Sequence, residues 1–508
     1  MEAGGRFYRL LVSPKPDGTV FTFDEDGRAK KETYSNGLVR DFTYSTNQTV
    51  ISGSNGITVT YNLNSFGEVA EYKLQNGENN KDYSYTYDSD GNITTISLNG
   101  SLQQTFTYNS SNELVRVDDA VINKTVTYDY DYVGNITSVK TYIYTTGTLG
   151  TPLTTQNYTY NSQNQRTDLS YDANGNMTEL NGYTFGWTNR RLTSATSTDN
   201  SISYTYNYDG IRTSKTINGI TTYYVVDENN NVVKQYELEN DVETNVIEFV
   251  YDSNGSPIYF TYNNATYYYE KNLQGDIVAI LDANGNTVVE YAYNIWGELA
   301  SITGSLADTI GTINPLRYRG YYYDTETNLY YLQSRYYSPA LMRFISQDDP
   351  VLSNDQGQPL GSNLYAYCGN EPVMHVDYTG TDAIILQSHE SVFNFGHMGL
   401  LFQYKNNWYY WYWGLHSTIA PFQYGITALV GLSGTFIATA ATRNLTVSAA
   451  LLSFTVWRTL TKTVYAQYKL VKVGSSSSIT SYSHCPLLIK CLKKPRLDML
   501  LYLKEDCI

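Results

Sequence analysis

One unit recurs along the first three hundred residues: aromatic-x-aromatic, then Asp or Asn, two or three polar residues, and often Gly-Asn. It reads FTFDEDGRA at 21–29, YSYTYDSDGNIT at 83–94, FTYNSSNEL at 106–114 and YDYDYVGNIT at 128–137. It returns as YTYNSQNQR at 158–166, LSYDANGNMT at 169–178, YTYNYDGIR at 204–212 and FVYDSNGSP at 249–257. The spacing is cleanest, at about 21 residues, from Tyr87 to Tyr108 to Tyr130. A chain that repeats one short unit buries each unit against its neighbours rather than around a single centre.

Within a unit, the alternation of Tyr83, Tyr85 and Tyr87 puts three rings on one face of a strand and Ser84 and Thr86 on the other. The Asp-x-x-Gly-Asn that follows supplies the capped and positive-φ positions of a hairpin turn. Each repeat therefore reads as a β-hairpin. The predicted fold is all-β: a long antiparallel hairpin-repeat sheet with ladders of Tyr across it. No helix longer than a couple of turns is expected before residue 380.

Composition sharpens this. Tyr accounts for 52 residues against 16 Phe and 6 Trp. A phenol in place of a phenyl needs a hydrogen-bond partner when buried, so the tyrosine ladders are expected to border water in a cavity. Residues 1–380 hold 23 Lys and Arg against 44 Asp and Glu, whereas 381–508 hold 11 against 5. That sign change divides the chain in two, and the acidity of the repeats argues against nucleic acid as their partner. The four cysteines, Cys368, Cys485, Cys491 and Cys507, are too few and too C-terminal for a disulfide framework. No signal peptide is visible at the N-terminus, and no cofactor motif or metal-ligand spacing is found.

The units resemble the YD repeats of the RHS family, with the Tyr-Asp pair at Tyr87-Asp88, Tyr130-Asp131, Tyr171-Asp172 and Tyr251-Asp252. The segment NPLRYRGYYYDTETNLYYLQSRYYSPALMRFISQDD, from residue 314, resembles the RHS-associated core, and NLYAYCGNEPVMHVDYTG at 363–380 its closing motif. The resemblance implies that the sheet curls into an incomplete hollow shell, and that the chain has three parts: a YD-repeat shell at 1–300, the associated core at 301–380 and a small, variable C-terminal domain at 381–508. It implies a shell that encloses or presents a toxin-like domain in competition between cells or against a host, and a secreted or cell-surface location. An immunity protein would be the expected partner.

Some members of that family cut themselves just after the closing motif with paired aspartates. Two carboxylates held close cannot both ionise easily, so one can act as acid while the other activates water. The residues here that match are Asp348, Asp349 and Asp377, with Arg343 nearby in sequence. The motif departs from the family's Asp-Pro-x-Gly, reading Asp377-Tyr378-Thr379-Gly380, and Thr381 stands where a Leu is common. Both departures argue against self-cleavage and for Asp348 and Asp377 as turn aspartates. Cys368, in YAYCGN, is expected to be a small structural residue.

The tail opens with a second chemistry. Met398–Gln403 and Trp408–Trp413 are apolar runs joined by YKNN, a predicted hairpin with His397 just ahead of it. This resembles the His-bearing hairpin of permuted papain-like peptidases and amidases. The resemblance implies His397 as the base for a thiolate nucleophile, Cys485 or Cys507. Neither cysteine opens a recognisable helix. Residues 424–457 contain two uncharged runs around Arg443-Asn444, which suit burial in a globular domain better than membrane insertion. The aperiodic ending is also what a frame-shifted remnant would leave. A different reading of the repeats is a surface module that grips carbohydrate or a receptor with its Tyr- and Asn-rich face.

Overall fold

The computed structural model describes residues 12–348 and 363–380, apart from 16 and 78, and the backbones of strands between 385 and 502. It divides into one unit at Leu11–Asp382 and another that holds Ala383–Ile508.

In the first unit, fourteen strands from Val12–Pro14 to Thr154–Asn157 form one antiparallel sheet, and thirteen from Glu179–Leu180 to Leu299–Thr303 form another. In both, each strand pairs with its neighbours in sequence, and neither sheet closes on itself. Between them the two units quoted at 158–166 and 169–178 shrink to single bridges, Tyr160 with Arg166 and Tyr171 with Met177. Among the described residues, the α-helix is a single turn, Ile310–Ile313.

The hairpin chemistry is repeated from turn to turn. The Asp88 carboxylate accepts the N–H groups of Asp90 and Asn92, both at 2.9 Å, and the Asn92 side chain returns to its other oxygen at 3.0 Å. Asp131 and Asp172 hold their turns in the same way. The register shifts by one residue as the Asp88 and Asp131 turns are entered, so that Tyr87 pairs with Ile93 and Tyr130 with Ile136. Such a bulge bends the strand and adds twist.

The bulge also explains the tyrosines. It leaves one strand carbonyl free to face the next repeat, where a phenol reaches it. Tyr108 donates to the Ile93 carbonyl at 2.8 Å, Tyr130 to Leu114 at 2.6 Å and Tyr160 to Ile136 at 2.7 Å. Tyr44, Tyr87, Tyr206, Tyr251 and Tyr293 donate likewise to Ala29, Val69, Leu192, Val232 and Ile277. The expected water-lined ladder is corrected here: these hydroxyls find their partners in the protein backbone, so the rings can be buried. Each such bond stabilises by about 1 kcal/mol net.

The core segment forms a small sheet of its own, Tyr322–Asp324, Leu329–Leu332, Arg335–Ser338 and Arg343–Phe344, whose residues are all buried. Tyr318, Tyr330 and Tyr337 reach from it to the carbonyls of Ile295, Gly297 and Trp296 in one hairpin tip. Gly297 has φ +87, and a Cβ there would come within 2.5 Å of the Tyr318 ring. Deeper in, the Arg212 guanidinium lies over the Tyr224, Tyr322 and Tyr331 rings at 4.8, 4.9 and 4.4 Å and pairs with Asp324 at 2.5 Å. Lys215 adds a second contact to Asp324 at 3.1 Å. Burial alone would raise the Asp324 carboxyl, and these two cations hold it below its ordinary range.

In the second unit, eight strands form a sheet in the order Ile385–Ser388, His397–Tyr404, Asn407–Tyr412, Ile426–Val430, Phe436–Ala440, Val464–Lys469, Cys485–Lys490 and Leu500–Tyr502. The hairpin expected around YKNN is present, with Tyr404 opposite Asn407.

Candidate functional site

Strands Leu329–Leu332 and Arg335–Ser338 are joined by Gln333-Ser334, a two-residue loop in which Gln333 takes φ +59. The closing motif docks on this loop. The Ser334 N–H donates to the Thr379 carbonyl at 3.1 Å, and the Ser334 hydroxyl lies 2.6 Å from that oxygen and 2.7 Å from the Gly380 carbonyl oxygen. The Arg335 Nε–H also donates to the Gly380 carbonyl.

Gly380 has φ +67, and a Cβ there would lie 2.6 Å from the Leu332 carbonyl oxygen and 2.8 Å from Ser334 Oγ. Only glycine has both the backbone freedom and the room.

Arg335 organises the rest. Its Nη2 lies 3.0 Å from an Asp348 carboxylate oxygen and 3.6 Å from one of Asp377. Its Nη1–H donates to the Leu364 carbonyl at 3.1 Å, and its plane covers the Phe344 ring at 3.6 Å. The three side chains are 4, 3 and 11 % exposed. Buried charges of this kind persist only when paired and hydrogen-bonded. The other Asp377 oxygen accepts the N–H groups of Thr379 at 3.2 Å and Gly380 at 2.8 Å, and the Asp377 N–H donates to Tyr321 Oη at 2.9 Å. Asp377 is thus the turn aspartate expected above. Asp348, expected to cap a turn, places its carboxylate on Arg335.

So Asp348 and Asp377, 29 positions apart in sequence, meet at one guanidinium nitrogen beside the Gly380 carbonyl. Asp349 lies outside the described residues. Arg343 faces elsewhere, donating to the Asn164 carbonyl at 2.7 Å and covering the Tyr365 ring at 4.6 Å. The sequence reading missed Arg335 and Ser334. Proximity in sequence favours Arg343, but the Gln333-Ser334 turn reverses the chain and brings Arg335 to the closing motif.

Cys368 begins the short turn Cys368–Asn370 with φ +51. Burial pushes its thiol well above the usual range, which leaves it a poor nucleophile. In the C-terminal unit, His397 and Cys485 each begin a strand, and four strands of the sheet lie between theirs. Cys507 lies outside the described residues, as does most of 424–457 apart from the paired strands Ile426–Val430 and Phe436–Ala440. No helix among the described residues is long and apolar enough to cross a membrane.

The tRNA nuclease WapA of Bacillus subtilis is 38% identical over 237 residues, which are 44% of this chain and 10% of WapA. Toxin protein Tse5 of Pseudomonas aeruginosa is 42% identical over 66 residues, 13% of this chain and 5% of Tse5. The chain therefore spans about a tenth of the length of the nuclease relative it matches. A crystal structure of TcdB2-TccC3 superposes with a TM-score of 0.56 at 21% identity, covering 71% of this chain and 22% of that one, so the fold is shared. Residues 41–373 match the family model described as Teneurin YD-shell. With more than half of its length matched, the chain belongs to the Teneurin YD-shell family.

Proposed function

We propose that residues up to Gly380 are a YD-shell that carries the segment 381–508 as a toxin-like cargo, and that the chain cuts itself between Gly380 and Thr381. The observation that carries this reading is the meeting of Asp348 and Asp377 at Arg335 beside the Gly380 carbonyl. Relatives named as toxins or nucleases, WapA and Tse5, support a cargo of that kind.

The chemistry follows from the placement. A carboxylate takes a proton from water, the water oxygen adds to the Gly380 carbonyl carbon, and the C–N bond to Thr381 breaks. The proton returns to the departing nitrogen, so one peptide bond and one water become a carboxylic acid and an amine, and the acid then gives its proton to the amine or to solvent. Arg335 lowers the cost of holding two carboxylates together. The Tyr378 and Thr381 departures lie beside these groups in sequence and remove none of them.

The test is expression of the whole chain, denaturing electrophoresis and mass spectrometry of the products. A fragment beginning at Thr381, absent from Asp348→Asn and Asp377→Asn, is the expected result. A wild-type chain that stays whole overturns the cleavage, and growth of a host expressing 381–508 then decides the cargo by itself. Growth arrest relieved by His397→Ala would make that cargo a hydrolase whose nucleophile is not Cys485, since four strands separate it from His397; no arrest from an expressed tail would sink the toxin reading.

A further inference from the structure

We propose that the Ser334 hydroxyl is a catalytic donor in this cleavage, moving its hydrogen bond onto the Gly380 oxygen as that atom becomes an oxyanion. The proposal rests on the self-cleavage reading above and adds a residue that the paired-carboxylate chemistry does not include.

The geometry is specific. The Ser334 Oγ lies between two carbonyl oxygens, Thr379 at 2.6 Å and Gly380 at 2.7 Å. A hydroxyl has one hydrogen to donate, so in the resting state that hydrogen is divided between them. The Thr379 carbonyl has another donor, the Ser334 N–H at 3.1 Å, which is shared with the Leu332 carbonyl at 2.6 Å. It can therefore lose the hydroxyl without being left unpaired. When water adds to the Gly380 carbon, negative charge gathers on the Gly380 oxygen and draws the hydroxyl hydrogen to it. The bond is thus stronger in the transition state than in the ground state, the condition for raising a rate rather than tightening a resting contact.

Arg335 Nε–H is the second donor to the same oxygen. Two side-chain donors from adjacent residues at a tight hairpin turn already lie within reach of one carbonyl oxygen, so only the hydroxyl hydrogen has to turn during the reaction. The glycine reinforces this. A side chain at 380 would collide with Ser334 Oγ and the Leu332 carbonyl, so the carbonyl can be presented to the turn only by a residue without one. Ser334 is itself exposed. Its removal costs little packing, and its effect on rate can be read apart from folding.

The experiment follows self-cleavage over time in the full chain, with Ser334→Ala, Ser334→Thr and Asp348→Asn beside the wild type. The expected result is a rate on the order of 10²-fold lower for Ser334→Ala, with the same fragments, an unchanged midpoint in the pH profile and an unchanged melting temperature. Ser334→Thr, which keeps the hydroxyl, is expected to recover most of the rate. Cleavage by Ser334→Ala within about twofold of wild type overturns the proposal and leaves the carboxylate reading standing. A slow Ser334→Ala that also melts early, with no recovery in Ser334→Thr, overturns it in favour of a structural role. A wild-type chain that remains whole, like Asp348→Asn, overturns both readings.

Discussion

The Tyr130 hydroxyl donates to the Leu114 carbonyl at 2.6 Å, tying one hairpin to the bulge of the hairpin before it. The same relation between Tyr108 and Ile93 makes it a property of the repeat and not of one site. It accounts for the preference for Tyr over Phe, because only the phenol can satisfy a carbonyl that the bulge has taken out of the ladder.

Tyr130→Phe should therefore destabilise the shell by about 1–3 kcal/mol, since it removes that hydroxyl and leaves a buried carbonyl short of a donor. Tyr132→Phe, two residues away and 85% exposed, should change nothing measurable. Urea unfolding of the two variants decides it, and equal midpoints would contradict the role assigned to the hydroxyl.

Arg212→Ala should cost more, about 3–5 kcal/mol, because it leaves the Asp324 carboxylate buried with Lys215 alone as its cation and empties the space between three tyrosine rings. A melting temperature that matches the wild type would show that the pair contributes little.

Glu371 gives a pH dependence with a definite sign. Burial pushes its carboxyl up to about 8, against the opposing Met374 N–H and the Arg319 charge. A folded value above the ordinary 4.5 means that the full stability is present below that ordinary value and declines as pH rises toward about 8. Glu371→Gln should remove that decline. Melting temperatures of both proteins across pH 4.5 to 8 provide the check; parallel curves would refute the assignment.

Gly380→Ala should detach the closing motif from its turn, because φ +67 and the nearby Leu332 carbonyl and Ser334 hydroxyl leave no place for a methyl group. Self-cleavage should stop, and limited proteolysis should open the chain near residue 380 in the variant first. Cleavage at the wild-type rate would show that the docking seen around Ser334 is dispensable.

The alternation of aromatic and polar residues, and the Asp-x-x-Gly-Asn that follows, were sufficient to specify the hairpins, their order and their antiparallel pairing. These are local matters: strand faces repeat every two residues and turns depend on four or five neighbours. The resemblance to the RHS family located the core and the closing motif, and through them the candidate aspartates 348 and 377. What the tyrosine hydroxyls bond to was not readable, because the accepting carbonyl belongs to the previous repeat and is freed only by a register shift. Nor was the choice of Arg335 over Arg343, since both stand near Asp348 in sequence and only the folded turn decides which one faces it. Local sequence determined the hairpins because their forces act within a few residues; tertiary structure decided the site because its charges and carbonyls meet only after distant segments pack and exclude water.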